Sequence, residues 1–424
     1  MVRRASLALL IAVFSAATAA GQGINGNTRF YNGLFGGAGR ANDEGLDVNW
    51  ALLGSYDTNV SAIAPGHPWL QSATTYGTAA GYLRYGARGT NSIFTARGGV
   101  NGVYYRGFNR LSALDANADA NFTADLNRRT RLTGSLGVLL LPYYQLKTLS
   151  LGQPSSEYFS RASDEALSIQ RQDEVHGGIQ LTQKFSQKNS IVVDYSGRFT
   201  VLSELASPFS WYEVNGRFVR TVTRYASLKV GYGMGRAQLG TVPGAAPVET
   251  RTIIAGIDYA RPLSASRRTT FNFSSGSGSV NNGVGQEYQL LVDAGVMRQI
   301  GRTWIANAQY HRGNQFSEGF TDQLYSDSLR VTVAGLVSRR TDLSFGGTYS
   351  NGLVGFANAG RGYVTFSGNA SLRFALTRLL SLNTEYIYYT YEFDPLVQLP
   401  SDIPRNLNRQ GLRFGIGGWV PLGR

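Results

Sequence analysis

The chain has 424 residues, a formal net charge of +13, 42% hydrophobic residues and no cysteine. A mean hydropathy of -0.16 excludes a membrane protein built from helices, since each helical span needs about 20 mostly apolar residues. The lack of cysteine excludes disulfides and metal–thiolate sites. No linker or charge block divides the chain into soluble domains.

The N-terminus has the three parts of a secretory signal peptide. Arg3 and Arg4 form a basic region, Leu7–Val13 is an apolar run, and small residues follow up to Ala20. This pattern predicts Sec-type export and a cleaved signal peptide over residues 1–20. The alternative is a buried N-terminal helix. Export argues against nucleic acid as the partner of this basic chain.

Beyond a Gly- and Asn-rich segment, residues 21–45, the chain repeats a strand–turn–strand–loop unit about every 40 residues. Short basic turns mark this unit, at 88–90, 128–130, 187–189, 223–224, 267–269, 301–303, 339–341 and 377–378. Eight such turns join sixteen strands, and one further strand at each end makes eighteen. The longest predicted loop is 147–171.

The predicted strands alternate between two unlike faces. In 363–376, for example, Val364 and Phe366 face one way and Thr365 and Ser367 face the other. The strands run to about 10–14 residues, nearer the length that crosses a bilayer than the 5–6 of a soluble sandwich. The sequence therefore predicts an all-β fold, a single transmembrane antiparallel up-and-down β-barrel of about 18 strands over residues 46–424.

Charged residues on the inward faces are predicted to line the lumen. Nine are basic and nine are acidic, so the balance argues against strong ion selectivity. The basic residues are Arg84, Arg97, Lys184, Arg198, Arg217, Lys229, Arg330, Arg373 and Arg413. The acidic residues are Asp47, Asp115, Asp119, Asp125, Asp194, Glu213, Asp258, Asp293 and Glu385. Fifteen of these, all except Asp47, Lys184 and Lys229, are the candidate lumen-lining residues.

Two segments are candidates for obstructing the lumen. Residues 21–45 are predicted to be either a flexible periplasmic segment or a plug that enters from the periplasm, and loop 147–171 is long enough to fold inward as a constriction. The short basic turns are expected on the periplasmic side, because external loops are the longer ones. There they would either meet anionic phospholipid head groups or simply be solvated.

Catalytic and cofactor signals are weak. The chain has three histidines, His67, His176 and His311, and lacks the Gly-x-Ser-x-Gly and His-Glu-x-x-His motifs. Glycine clusters such as 231–235 lie in an alternating strand and lack the context of a phosphate loop. We therefore expect no enzyme, no cofactor and no metal site.

The mature chain resembles the large single-chain outer-membrane porins of Gram-negative bacteria, through its hairpin rhythm, short turns and closing strand 411–420. It is more loosely similar to the barrels associated with exopolysaccharide export. The first resemblance implies an outer-membrane channel for passive diffusion of hydrophilic solutes, and the second a component of polysaccharide secretion with periplasmic partners. A structural or adhesive barrel is the third possibility. The implied partners are outer-membrane lipids and, during insertion, the barrel assembly machinery.

Overall fold

The computed structural model describes residues 44–58, 74–105, 112–142, 144–145, 166–168, 171–203, 208–239, 247–262, 268–281, 286–318, 320, 322–355, 361–399 and 404–423. The predicted signal peptide, nearly all of segment 21–45 and most of loop 147–171 lie outside these residues. Within them, no helix is long and apolar enough to cross a membrane.

The described residues form twenty β-strands. Their bounds are β1 (Gly45–Asp57), β2 (Thr74–Arg88), β3 (Ser92–Tyr105), β4 (Ala113–Asn127), β5 (Thr130–Leu141), β6 (Tyr144–Gln145), β7 (Ala166–Ser168), β8 (Gln172–Lys184), β9 (Asn189–Leu202), β10 (Phe209–Thr223), β11 (Ala226–Gln238), β12 (Val248–Pro262), β13 (Thr269–Asn281), β14 (Gln286–Ile300), β15 (Trp304–Gln315), β16 (Leu324–Leu336), β17 (Thr341–Val354), β18 (Gly362–Ala375), β19 (Leu380–Phe393) and β20 (Asn406–Gly423).

Eighteen of these strands form one closed antiparallel sheet. Each strand pairs with its neighbours along the chain, and β1 also pairs with β20, so that the sheet closes on itself. The short strands β6 and β7 pair only with each other and belong to the connection between β5 and β8. The predicted fold class and the count of eighteen barrel strands are both confirmed.

The eight predicted basic turns all connect hairpins of the barrel. They lie at one end, which we call the turn end, whereas the connections at the opposite end, the loop end, are mostly longer. Backbone hydrogen bonds close the turns, as between Val337 N and Thr341 O at 2.9 Å and between Leu376 N and Leu380 O at 2.9 Å. Gly301 has φ 63° in the β14–β15 turn, a conformation that glycine adopts without strain.

The two faces of the sheet differ in the way the alternation predicts. On β18, the outward Val364 and Phe366 are each 42% exposed, whereas the inward Thr365 and Ser367 are 1% and 2% exposed. The same contrast recurs around the barrel, with large apolar side chains outside and polar side chains buried inside. This is the reverse of a soluble β protein and is the arrangement with which a barrel crosses a membrane.

The closing strand is longer than predicted. β20 runs from Asn406 to Gly423 and forms ladders with β19 on one side and β1 on the other. Pro421 lies inside its last residues, beside a register shift at Leu46 and Asp47 of β1. Proline has no N–H to donate, so this position near the end of the ladder suits it.

Candidate functional site: the lumen and its loop-end closure

The fifteen candidate lumen-lining residues are spread around the barrel. They lie on eleven strands, from Arg84 on β2 to Arg413 on β20, on the same side of the pleat as the buried residues. The structure therefore does not gather them into one cluster. Each occupies its own stretch of the inner wall, where its neighbours on the adjoining strands decide its electrostatic surroundings.

Ion pairs between neighbouring strands neutralise much of this inner charge. These pairs are Arg217 with Asp194 (3.6 Å), Lys229 with Asp258 (2.8 Å), Arg373 with Asp342, and Arg413 with Glu385 (3.6 Å). His311 Nδ1 also lies within hydrogen-bond distance of Asp293 Oδ1, at 2.6 Å. Because each pair cancels within a few ångströms, the inner wall presents alternating rather than single-sign charge.

The other candidates have local partners of their own. Asp115 accepts a hydrogen bond from Asn101 at 2.7 Å, and Asp125 pairs with Arg131 at 2.7 Å. The other candidates lie opposite residues of neighbouring strands. Arg84 lies opposite Arg97, and Arg97 lies opposite Asp119. Arg330 lies opposite Thr348, and Glu213 lies opposite Ser196. Arg97 also covers the ring of Tyr82, with its guanidinium carbon 4.9 Å from the ring centroid.

Uncharged polar side chains cover part of the inner wall from β16 to β18. In the ladder, Ser328 lies opposite Ser350, and Ser350 lies opposite Thr365. One step toward the turn end, Thr348 lies opposite Ser367. Hydroxyl groups donate and accept hydrogen bonds without fixed charge, so this wall suits contact with water and neutral hydrophilic solutes.

The β15–β16 loop, residues 316–323, reaches across the loop end of the barrel. Glu318 is fully buried, and its Oε1 lies 3.3 Å from Nε of Arg198 on β9. The same oxygen accepts a hydrogen bond from the Thr200 hydroxyl at 3.0 Å, and Arg198 donates from Nη2 to the Phe316 carbonyl at 2.5 Å. Strands β10 to β14 separate β9 from β15, so these contacts span the lumen and not a strand pair.

Two apolar clusters hold this loop on opposite walls. Phe316 packs in a cluster with Phe209, Ala237, Leu239, Val248 and Val280, at the loop ends of β10 to β13. Phe320 is fully buried in a second cluster with Leu202, Leu324, Val354, Tyr363, Tyr389, Tyr391, Phe393, Val397 and Leu407. The ring of Phe320 lies 5.9 Å from that of Phe393. The loop therefore fills part of the opening with apolar side chains on both sides of one buried ion pair.

The far end of the loop is fastened to the β17–β18 connection. Arg361 donates to the Asp322 carboxylate at 3.1 Å, and Gly355 N donates to the Gln323 carbonyl at 2.8 Å. Gly355 has φ 84°, which L residues rarely adopt, so glycine is what allows its N–H to point at Gln323. Both ends of the loop are thus fixed to neighbouring structure.

The sequence patterns did not indicate this closure. They predicted Arg198 only as a lumen-lining residue, and the structure shows that its guanidinium ion-pairs with Glu318. The expected obstructions, segment 21–45 and loop 147–171, fall mainly outside the described residues. The available signal was the pair of phenylalanines, Phe316 and Phe320, in an otherwise polar short loop.

The histidines show no catalytic arrangement. His176 Nδ1 lies 2.8 Å from Glu174, His311 pairs with Asp293, and His67 lies outside the described residues. Among the residues that the structure describes, no group of three or more His, Cys, Asp or Glu side chains could hold a metal ion. The expectation that the chain is not an enzyme stays a prediction.

The chain was compared with known proteins. It is similar to the siderophore receptor PirA from Pseudomonas aeruginosa, with 10% identity, 90% of this chain and 81% of that chain covered, and a TM-score of 0.40. It is also similar to OccAB3 from Acinetobacter baumannii (10% identity, 88% and 99% covered, TM-score 0.41) and to OpdO from Pseudomonas aeruginosa (11% identity, 90% and 98% covered, TM-score 0.43). No protein-family model and no curated protein matches the chain.

Proposed function

We propose that this protein is a channel in the outer membrane of a Gram-negative bacterium and that small hydrophilic solutes diffuse through it passively. The observation that carries the proposal is the closed eighteen-stranded barrel with an apolar outer surface and a polar inner wall that contains cross-strand ion pairs. Barrels of this strand number are wide enough to leave an aqueous channel. An apolar exterior of large exposed side chains is stable only in contact with lipid.

The β15–β16 loop sets the size limit of this channel. It places the buried ion pair of Arg198 and Glu318 and the rings of Phe316 and Phe320 across the loop-end opening. A solute must pass beside this loop, so passage is restricted to small molecules. Because many charges of the wall are paired, we expect little preference for cations or anions.

The test is transport by the purified protein. In a planar bilayer it should conduct in small steps, and proteoliposomes should swell in small sugars but not in large oligosaccharides. A control protein sample unfolded by boiling should give neither result. If neither the wild type nor variants with a weakened β15–β16 loop conduct, the barrel is structural or adhesive and the channel proposal fails.

An exopolysaccharide conduit is the alternative function. That role stays a prediction, because it rests on resemblance alone. The transport experiment separates the two, since a polysaccharide conduit should pass long oligosaccharides once the loop is displaced. A diffusion channel with the same loop displaced should gain conductance, but its inner wall should still limit the size of the solutes that pass.

A further inference from the structure

The hairpin turns at one end of the barrel carry charge of a single sign. Each of the eight turns at the turn end has at least one exposed basic residue. We call this set the basic ring; its members in the described residues are Arg88, Arg128, Arg129, Lys188, Arg224, Arg268, Arg302, Arg339, Arg340 and Arg378. No acidic residue lies in the described turn segments between the paired strands.

Three acidic residues near the turn end face inward and have basic partners there, whereas Glu44, just before β1, is exposed. Asp125 pairs with Arg131, Asp342 pairs with Arg373, and Asp258 pairs with Lys229. These carboxylates therefore do not offset the basic ring, which faces the water and the lipid surface. The loop end differs, since its described charges include both signs, as in the contacts of Arg171 with Asp173 and Arg361 with Asp322.

Exposed apolar residues accompany the basic ring. In six of the eight turns, an apolar side chain that is 40% to 60% exposed lies beside the basic side chain. These apolar residues are Leu126, Phe185, Val222, Ile300 and Val337, and in the last turn both Leu376 and Leu379. An apolar side chain next to a guanidinium or ammonium group suits the boundary between acyl chains and head groups. It does not suit a turn that extends freely into water.

We propose that the basic ring binds the phosphate groups of anionic phospholipids in the leaflet that contacts the turn end. The ring extends around the whole circumference, with neighbouring hairpins about 10 Å apart because each contributes two strands. A lipid annulus reaches every turn at once, whereas a folded protein partner would contact only an arc. The proposal is independent of whether the barrel conducts.

The test measures which lipids surround the protein. The folded full-length barrel is reconstituted in phosphatidylcholine bilayers, and spin-labelled phosphatidylglycerol and phosphatidylcholine are compared for the fraction immobilised at the protein. We expect phosphatidylglycerol to associate about two- to threefold more strongly at low salt. The ratio of phosphatidylglycerol to phosphatidylcholine association should fall toward one in 1 M NaCl, because salt screens charges at an exposed surface.

Charge variants identify the residues responsible. Arg339→Gln with Arg340→Gln should lower the preference, and adding Arg128→Gln and Arg129→Gln should lower it further. The same four positions changed to lysine should keep it. A matched control, Arg236→Gln with Arg251→Gln, also removes two outward arginines, but near the loop end, and should leave the preference unchanged. A heat-dependent gel shift checks that every variant is folded.

Three results would overturn the proposal. One is equal association of the two lipids with the wild type, and another is an equal loss of preference in the loop-end control. The third is tight, salt-sensitive binding of soluble polyglutamate by the wild type without any lipid preference, which would assign the basic ring to an acidic protein partner instead.

Discussion

Arg409 on β20 and Asp57 on β1 form a buried ion pair across the junction where the barrel closes. Nε of Arg409 lies 2.7 Å from Oδ2 of Asp57, and the two residues are 352 positions apart in the chain. Both side chains are almost wholly buried, at 4% and 2% exposure. Beside them, Thr58 N donates to the Gln410 carbonyl at 3.0 Å and extends the contact between the two strands.

Breaking this pair should destabilise the barrel. Arg409→Met leaves the Asp57 carboxylate buried without its main cation, and removing one partner of a buried pair costs about 3–5 kcal/mol. Urea unfolding of the vesicle-embedded protein, followed by the gel shift, measures the loss. Arg131→Met, which breaks the exposed pair with Asp125, is the control and should cost at most about 1 kcal/mol. Equal losses in the two variants would contradict a special role for the closing pair.

Neutralising Glu318 should open the loop end. Glu318→Gln removes the charge attraction to Arg198 but keeps the size of the side chain, so the loop leaves its position more often. Single-channel conductance in planar bilayers should rise, and Arg198→Gln should have a similar effect. The double variant should add little, because both changes break one interaction. Glu392→Gln, an exposed outward change near the same end, serves as the control and should leave conductance unaltered.

Changing Gly355 should loosen the other fastening of this loop. At φ 84° an alanine is strained by roughly 1–2 kcal/mol, and the hydrogen bond from Gly355 N to Gln323 O weakens as the backbone relaxes. Conductance of Gly355→Ala should therefore be noisier and higher on average than that of the wild type. Gly347→Ala on β17 is the matched control, since an added Cβ there has nothing nearer than 3.7 Å. If the current through Gly355→Ala has the noise and conductance of the wild type, the contact of Gly355 with Gln323 does not hold the loop in place.

The ion preference of the channel should follow the inner charges. With salt gradients across a bilayer, the wild type should give a reversal potential near zero, because its inward charges pair within the wall. Arg217→Gln with Lys229→Gln leaves Asp194 and Asp258 uncompensated and should make the channel cation-selective. The control variant Arg220→Gln, which removes an outward arginine, should not make the channel cation-selective. Strong selectivity in the wild type would show that unpaired charges dominate the pore.

Cysteine labelling tests which end faces outward. The chain has no cysteine, so a single introduced thiol reports its own position. Leu396→Cys, 62% exposed at the loop end, should react with an impermeant reagent on intact cells. Arg340→Cys, at the turn end, should react only after the outer membrane is opened. The reverse result would invert the orientation of the barrel and place the basic ring outside.

The strand count was predictable because its signals are local. The alternation of apolar and polar residues with period two can be recognised within one strand, as in 363–376. The basic turns mark each hairpin without reference to the rest of the fold. The contact of Glu318 with Arg198 has no such signal, since it joins a loop residue to a strand 120 positions away that is not next to β15 or β16 in the sheet. The closing pair of Asp57 and Arg409 is equally remote in sequence. Loop length did not single out the closure seen in the described residues, because that closure comes from a short loop whose phenylalanines are buried.

The ladder between β1 and β20 also determines the order in which this protein can mature. Residues 46–57 have a hydrogen-bonding edge that only the last eighteen residues of the barrel complete. A chain that stops short presents that edge to lipid, where unpaired N–H and C=O groups have no water to bind. Strand β1 must therefore remain unpaired on one side until β20 has been synthesised. The barrel can close only when β20 is available, and we expect a chain truncated before Asn406 to be degraded instead of forming a smaller barrel.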